Sequence, residues 1–379
     1  MPEVHALGRI PRRPGPAAVA CLAGILSRAA FAVATSAATP PATPPGTSAP
    51  KIAEVGSARG VAGQKVRGSL KVSERADGSP IVLPIAIVTG RKPGPVVWID
   101  ALNHGDEYGG SRALQEIVRG LDAEQVSGTL IAVMAANPPA FEALQRVNPS
   151  LDDLNDLGGA FPGRPERFAT ERIAASLTEQ VKKHAAYFID LHTGGDRFKQ
   201  HPFVLYALTG GVPAERYDDL ARSFGVETLW RDAEVTFKED AVTTFSAAGI
   251  PSFLLEVGGG QPLDPADLRL QAEAVRSFLR KIGLLPGAPR SLESYSVVSG
   301  YRIVTNDRGG FFDATAKPGD HIHEGTVLGT ITDVQGDLVE TIRAPAGAAI
   351  VLGVSTYPAA PTGGWLFEVG SGLSDMKGR

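Results

Sequence analysis

The sequence predicts an α/β protein: a mixed, largely parallel sheet flanked by helices, followed by a smaller C-terminal all-β part. Three observations predict it. Apolar strand-like runs alternate with helical spacings from about residue 81 to residue 284, the pattern of a layered fold with parallel strands. Those runs are continuous rather than alternating, as strands covered on both faces require. From residue 297 to residue 369 the β runs are short, glycines are frequent and no helical period is present.

Taken in order, residues 81–88 form a β-branched strand and residues 90–95 a Gly/Pro turn. Val96-Val97-Trp98-Ile99 is a second strand, and residues 111–120 a helix closed by Gly120. Strands follow at 129–135, 187–191, 203–206 and 252–257, with helices at 170–186, 214–224 and 265–282. Leu285-Pro286-Gly287 marks a break, so the expected α/β domain is 51–286 and the β domain 287–379. Within the latter, Lys317-Pro318-Gly319-Asp320, Gly325-Thr326-Val327-Leu328-Gly329 and Ala344-Pro345-Ala346-Gly347 resemble a barrel-sandwich-like fold. It shows no modifiable lysine hairpin, which gives it a structural reading.

Residues 1–50 do not read as fold. Arg9, Arg12 and Arg13 precede an Ala-rich apolar run at 17–26, and Ala30-Phe31-Ala32 and Ala32-Val33-Ala34 fit small-residue cleavage sites. This is a signal peptide or a disordered leader, with an Ala/Thr/Pro linker at 35–50. Export to the periplasm is the expectation; a cytoplasmic protein is the alternative.

Composition narrows the function. With 37 Lys and Arg against 41 Asp and Glu, the net charge of −4 gives no positive field to draw nucleic acid. A hydrophobic fraction of 43% with 21% charged residues fits a globular chain, not one stably inserted in a membrane. Cys21 is the one cysteine, so a disulfide within the chain and a Cys-based zinc site are excluded. Any metal falls to the seven histidines and the carboxylates. Nothing in the sequence speaks to an oligomeric state.

Three local patterns carry chemistry. Asn103-His104-Gly105-Asp106-Glu107 follows a buried strand and sets His104 and Glu107 three apart, where a turn brings imidazole and carboxylate onto one ion. The bland alternative is a polar turn with an N-capping acid. Asp190-Leu191-His192-Thr193 ends another buried strand; a histidine there is costly unless paired or liganded, and Asp190 can orient it. Glu256 stands in the apolar run Phe253-Leu254-Leu255-Glu256-Val257, as a general base with a burial-raised pKa would. All three fall at carboxyl ends of expected parallel strands, the ligand-binding edge of an open α/β sheet. We read one zinc on His104, Glu107 and His192. His321 and His323, flanked by acids in a turn, offer a second metal site but read as ordinary turn residues; the helical His184 reads as exposed, and His201 as a solvated loop histidine, with lining of the pocket as its alternative.

The sequence resembles the succinylglutamate desuccinylase/aspartoacylase family, relatives of the zinc carboxypeptidases, over roughly residues 81–284. The matching pieces are the Gly-Pro turn before Val96, His104-Gly105-Asp106-Glu107, Asn137-Pro138-Pro139-Ala140-Phe141, Phe161-Pro162-Gly163, Asp190-Leu191-His192-Thr193 and the strand ending in Glu256. The resemblance implies a zinc carboxypeptidase-like sheet, zinc on His104, Glu107 and His192, and Glu256 as the proton-transferring carboxylate. It implies hydrolysis of an acyl bond of a small molecule, usually the amide of an N-acyl amino acid. The alternatives are a metallo-carboxypeptidase or amidase on peptide-like substrates, and a zinc-bearing binding protein with weakened catalysis. One departure stands out: where the family pattern has Asn-Arg after Asp-Leu, this chain has Gly158-Gly159 after Asp156-Leu157. The missing arginine leaves Arg146, Arg164 and Arg197 as candidates for substrate binding.

Overall fold

The computed structural model describes residues 52–378; the expected leader and linker at 1–50 lie outside the described residues. The chain opens with a hairpin, β1 (Glu54–Val55) and β2 (Ala58–Arg59), then the antiparallel pair β3 (Gln64–Glu74) and β4 (Pro80–Thr89). Then come β5 (Lys92–Ala101), α1 (Tyr108–Gly120), β6 (Ser127–Val133), α2 (Pro138–Ala143), α3 (Ala169–His184) and β7 (Tyr187–His192). β8 (Phe198–Ala207), α4 (Ala214–Arg222), β9 (Thr228–Asp232), α5 (Ala241–Ala247), β10 (Ser252–Gly258) and α6 (Pro265–Lys281) complete the helical part. Only strands follow among the described residues. They are β11 (Ser294–Val298), β12 (Gly300–Thr305), β13 (Gly310–Ala314), β14 (Val327–Thr332), β15 (Leu338–Arg343), β16 (Ala348–Ser355), β17 (Ala359–Ala360), β18 (Trp365–Ser371) and β19 (Ser374–Lys377).

Thirteen strands share one mixed sheet. Its centre, β6-β5-β7-β10, is parallel, with Val97 opposite both Leu130 and Tyr187. Both flanks are antiparallel: β4 and β3 beyond β6, and β8 beyond β10. Residues 96–101 are buried throughout, which explains why Val-Val-Trp-Ile reads as an unbroken apolar run. Odd-numbered Val97 and Ile99 face Leu114, Ile117, Leu220 and Phe278 of α1, α4 and α6. Even-numbered Trp98 faces the layer of α3 and α5 with Ile173, Leu177 and Phe245. There Phe188 meets Phe245 edge-on at 4.6 Å, a geometry contributing about 0.5–1.5 kcal/mol beyond burial. Helix ends follow from local chemistry: Asp264 accepts from Ala266 N, Pro265 begins α6, and Arg280 and Lys281 sit at its negative end.

β8 is where the sheet forks. Residues 198–200 pair with β16, and residues 203–207 pair with β9. One arm runs β16-β18-β12; the other runs β9-β11-β19. The strands after residue 287 therefore do not stand apart as a structural appendage. They complete the open edge of β8 and bring new side chains to the face carrying α3 and α5. The second sheet, β13, β14, β15 and β17, packs Phe312, Leu328 and Ile331 against Val351, Phe367 and Val369 of the first. The two form a sandwich whose strands do not pair with each other among the described residues.

Candidate metal centre and pocket

β5 ends at a sharp turn. Leu102 takes φ +58°, a left-handed conformation that costs a bulky residue about 1–2 kcal/mol. The turn is held by Asn137, whose backbone N–H donates to Leu102 O (2.9 Å) and whose Nδ2 donates to Asn103 O (3.1 Å). Asn137 also caps α2. A Cβ at Gly105 would come within 2.0 Å of the Ala140 backbone, so glycine lets α2 lie against the turn. These contacts explain why two separated motifs, one around Gly105 and one beginning at Asn137, occur together.

The result is a buried cluster of His104, Glu107 and His192, which are 4%, 3% and 5% exposed. Glu107 occupies the N-cap position of α1, yet its side chain makes no capping bond. It turns inward instead. Its Oε1 lies 2.6 Å from His104 Nδ1 and its Oε2 lies 3.0 Å from His192 Nδ1. Thr193 N donates to the same Oε2 at 3.1 Å. The ring centroids of the two histidines are 4.9 Å apart. The far nitrogens face carboxylates: His104 Nε2 is 3.0 Å from Asp156 Oδ1, and His192 Nε2 is 3.0 Å from Asp190 Oδ2. Asn103 Nδ2 in turn donates to Asp190 Oδ2 at 3.1 Å.

Among the described residues this is the one group of three such side chains whose ligand atoms lie within 4.8 Å of one another. The donor set suits a zinc ion. Two imidazole Nδ1 atoms and a carboxylate converge; Asp156 bonds His104 Nε2, which fixes that ring's tautomer and raises its basicity, and the Asp190 charge lies beside His192 Nε2. Burial alone would raise the Glu107 carboxyl pKa; the charges and hydrogen bonds of the two histidines outweigh it and hold it well below the carboxylate range. Burial likewise disfavours a charged His192, but Asp190 and Glu107 prevail and raise its pKa well above the ordinary value.

Glu256 stands directly across the ladder from His192, at the carboxyl end of β10. It is 9% exposed, and its Oε1 has no hydrogen-bond partner. Burial, reinforced by the negative charge of Glu107, pushes its pKa well above the usual range.

These residues open onto a pocket of about 630 Å³, a size suited to a small molecule. Arg146, Arg197, Gly158 and Gly159 line it; Arg164 does not. Arg164 Nε donates to Glu171 Oε1 at 2.7 Å, at the start of α3, so it leaves the set of pocket arginines. Arg146 is half-exposed and already engaged by Asp156 Oδ2 (3.1 Å) and Glu107 Oε1 (3.5 Å). Arg197 lies over the rings of Trp365 and Phe198, 5.7 Å from each centroid, with its Nε unpartnered. Gly158 N donates to Asp156 Oδ1 at 2.8 Å, and a Cβ there would come 3.1 Å from His104 Nε2. Nothing lies within 4 Å of a Cβ at Gly159, and neither glycine has a positive φ.

Sequence reasoning missed the pocket's far wall. Gln200, Tyr301, Tyr357, Trp365 and Glu368 all line it, four of them from the C-terminal strands and loops. His201 lies off the pocket with Nε2 2.8 Å from Thr228 Oγ1, and His323 is exposed.

Fold and site together place a buried cluster able to hold a metal, and a pocket, at the carboxyl edge of a mixed sheet. The chain belongs to the succinylglutamate desuccinylase/aspartoacylase family, whose catalytic domain matches residues 93–282. It is 30% identical over 288 residues to the N-alpha-acetyl-L-2,4-diaminobutyric acid deacetylase of Halomonas elongata, a stretch covering 74% of this chain and 82% of that protein. Two solved structures share the fold. The product-bound ectoine utilization protein of Ruegeria pomeroyi superposes with a TM-score of 0.72 at 24% identity, covering 81% of this chain and 95% of that one. A succinylglutamate desuccinylase/aspartoacylase from Rhodobacter sphaeroides gives 0.72 at 22% identity, covering 82% and 95%.

Proposed function

We propose that this chain is a zinc-dependent deacylase that hydrolyses the amide bond of an N-acyl amino acid. The observation that carries the reading is the orientation of the two histidines. Both Nδ1 atoms converge on the Glu107 carboxylate, and both Nε2 atoms are turned to carboxylates. Zinc bound by His104, Glu107 and His192 would supply a Lewis acid for the amide carbonyl and lower the pKa of a water toward about 7.

The protein's own groups do the rest. Glu256, buried and with one oxygen free of hydrogen bonds, accepts a proton from the attacking water and returns it to the departing amine. Its raised proton affinity suits that exchange at neutral pH. Asp156 holds the His104 imidazole in the tautomer whose Nδ1 lone pair faces the cluster, and Asp190 sets a negative charge beside His192 Nε2. The relative from Halomonas elongata, a deacetylase of an acetylated amino acid, supports this substrate class.

The test is acetate and amine release from a panel of N-acetyl amino acids beside dipeptides with free carboxyl termini, using zinc-loaded protein. The reading expects cleavage of N-acetyl amino acids and little of the dipeptides. Preferential dipeptide cleavage would make it a carboxypeptidase. Zinc binding with no turnover on either set would make it a binding protein.

A further inference from the structure

The sheet register carries the pocket away from the metal cluster. Residues paired across neighbouring strands put their side chains on the same face. From β7 through β10 and β8 to β9, one row reads His192, Glu256, Phe203 and Thr228, and the next reads Asp190, Leu254, Leu205 and Trp230. Past Glu256 the floor therefore turns apolar. Phe203, Leu205, Trp230 and Leu254 line the same pocket as the metal-cluster histidines. β9 stands two strand spacings beyond β10, about 10 Å, which is the reach of this apolar floor.

An aromatic wall closes its far end. Trp230 stacks on Tyr301 at 4.7 Å, and Phe237 meets Trp230 at 5.8 Å and Tyr301 at 5.9 Å. Leu254 and Tyr301 are half-buried and Phe237 is 41% exposed, so this lining keeps apolar surface open. Concave apolar surface beside a few placed polar groups is the mark of a ligand site. Two carboxyls border it, and both are engaged. Asp240 accepts from Thr243 N at 2.6 Å. Glu368 accepts from Gln200 Nε2 at 2.7 Å and from the Tyr301 hydroxyl, and the Arg146 charge acts on it as well. Burial raises both pKa values, that of Asp240 to about 7, against the hydrogen bonds each accepts, which lessens the negative charge beside the apolar floor.

A free cation sits at the opposite end. Gln200 pairs with Gly258 at the carboxyl end of β10, and Arg197 precedes β8 by one residue with its Nε unpartnered, whereas Leu205 lies further along β8, opposite Leu254. The α-carboxylate of an N-acyl amino acid is a fixed charge; it belongs with that guanidinium, because an apolar floor offers it no partner. The amino acid side chain shares a carbon with the carboxylate and stays with it. The acyl chain, bonded to the carbonyl held at the metal cluster, is the part that continues past Glu256. We infer that the chamber floored by Phe203, Leu205 and Leu254 and closed by Trp230, Tyr301 and Phe237 takes the acyl group, so that medium-length apolar acyl chains are removed in preference to acetyl. The inference rests on the deacylase reading and deepens it by naming the acyl class. An acetyl group ends beside Glu256 and leaves the inner row unused, while a longer unbranched chain covers it and stops at the aromatic wall.

The test is alanine release by the zinc-loaded protein from N-acetyl-, N-butyryl- and N-hexanoyl-L-alanine, beside a second series of N-acetyl-glycine, -alanine and -leucine. From acetyl to hexanoyl kcat/KM should rise at least about tenfold, where complete burial would give roughly fourfold per methylene. The second series should change less. In Phe237→Ser, at an exposed position, and in Leu254→Asp the hexanoyl-to-acetyl ratio should fall toward one. Thermal melting reports whether each variant folds, and the parent's own series stands without them. A flat acyl series in the parent overturns the inference. So does a preference that grows with the amino acid side chain and not with the acyl chain, or two folded variants that keep the parent's ratio. If no member is hydrolysed, calorimetric binding of the same acyl series decides. Affinity that rises with acyl length keeps this inference and removes the deacylase reading alone; flat affinity or no binding removes both. Hydrolysis without dependence on acyl length removes this inference alone.

Discussion

Replacing Glu256 by glutamine changes one oxygen to an amide nitrogen at the carboxyl end of β10, directly across from His192. The side chain is 9% exposed and its Oε1 has no partner, so no structural hydrogen bond at that atom is lost. The substitution also removes a buried negative charge near Glu107. Folding should therefore be unaffected or improved: the melting temperature of metal-free Glu256→Gln should equal or exceed the parent's. Zinc content should be unchanged, because His104, Glu107 and His192 remain. Catalysis should collapse, since an amide cannot accept the water proton. General acid–base groups contribute about 10²–10⁴-fold, so a loss of at least about a hundredfold in kcat is expected, about 2.7 kcal/mol of barrier. The assay is acetate release under single-turnover conditions, with elemental analysis on the same samples. Turnover within about fivefold of the parent, at equal zinc, would refute the role given to Glu256.

Further expectations follow from the same geometry. Gly159→Arg should fold normally, because a Cβ there meets nothing within 4 Å and φ is not positive; Gly158→Asn should melt lower, crowding His104 Nε2 at 3.1 Å. The Gly159→Arg protein should gain activity on N-acetylaspartate relative to N-acetyl amino acids with uncharged side chains, and an unchanged ratio would deny this loop a part in selectivity. Burial, with a contribution from His321, holds the His201 pKa below its ordinary 6.5, although Glu227 opposes this. The folded protein keeps that ring neutral, so its contribution to stability is complete above about pH 6.5 and is lost as pH falls below that value toward the lower folded pKa. The parent's melting temperature should drop more between pH 7.5 and 5.5 than that of His201→Gln; equal drops would reject the linkage. If the leader is cleaved on export, mature protein should begin between about residues 33 and 40, and intact mass retaining Met1 would reject export.

Much of this was legible in the sequence where burial on both faces writes a simple pattern. Val96-Val97-Trp98-Ile99 and Phe253-Leu254-Leu255 are continuous because α-helical layers cover both sides, and His192 and Glu256 stand out as polar residues inside such runs. β3 was not legible: it lies at the sheet edge, half-exposed, with Lys65, Arg67, Gly68 and Lys71 breaking any apolar period. The turn expected at 90–95 is shortened because β5 already begins at Lys92. The pocket's far wall was not legible for a different reason. Glu368 reaches Gln200 across 168 residues, through a ladder that runs from β8 to β16 to β18. No local spacing records which strand will complete the open edge of β8. Arg164, by contrast, looked available because sequence hides its partner Glu171, seven residues on, at the start of α3.

The central claim is that His104, Glu107 and His192 hold a catalytic zinc. It is tested most directly by elemental analysis of the purified parent, His104→Ala and His192→Ala, each checked for folding by thermal melting. The account predicts about one zinc per chain in the parent and less than about a tenth of that in either variant. Full zinc in both folded variants would contradict it.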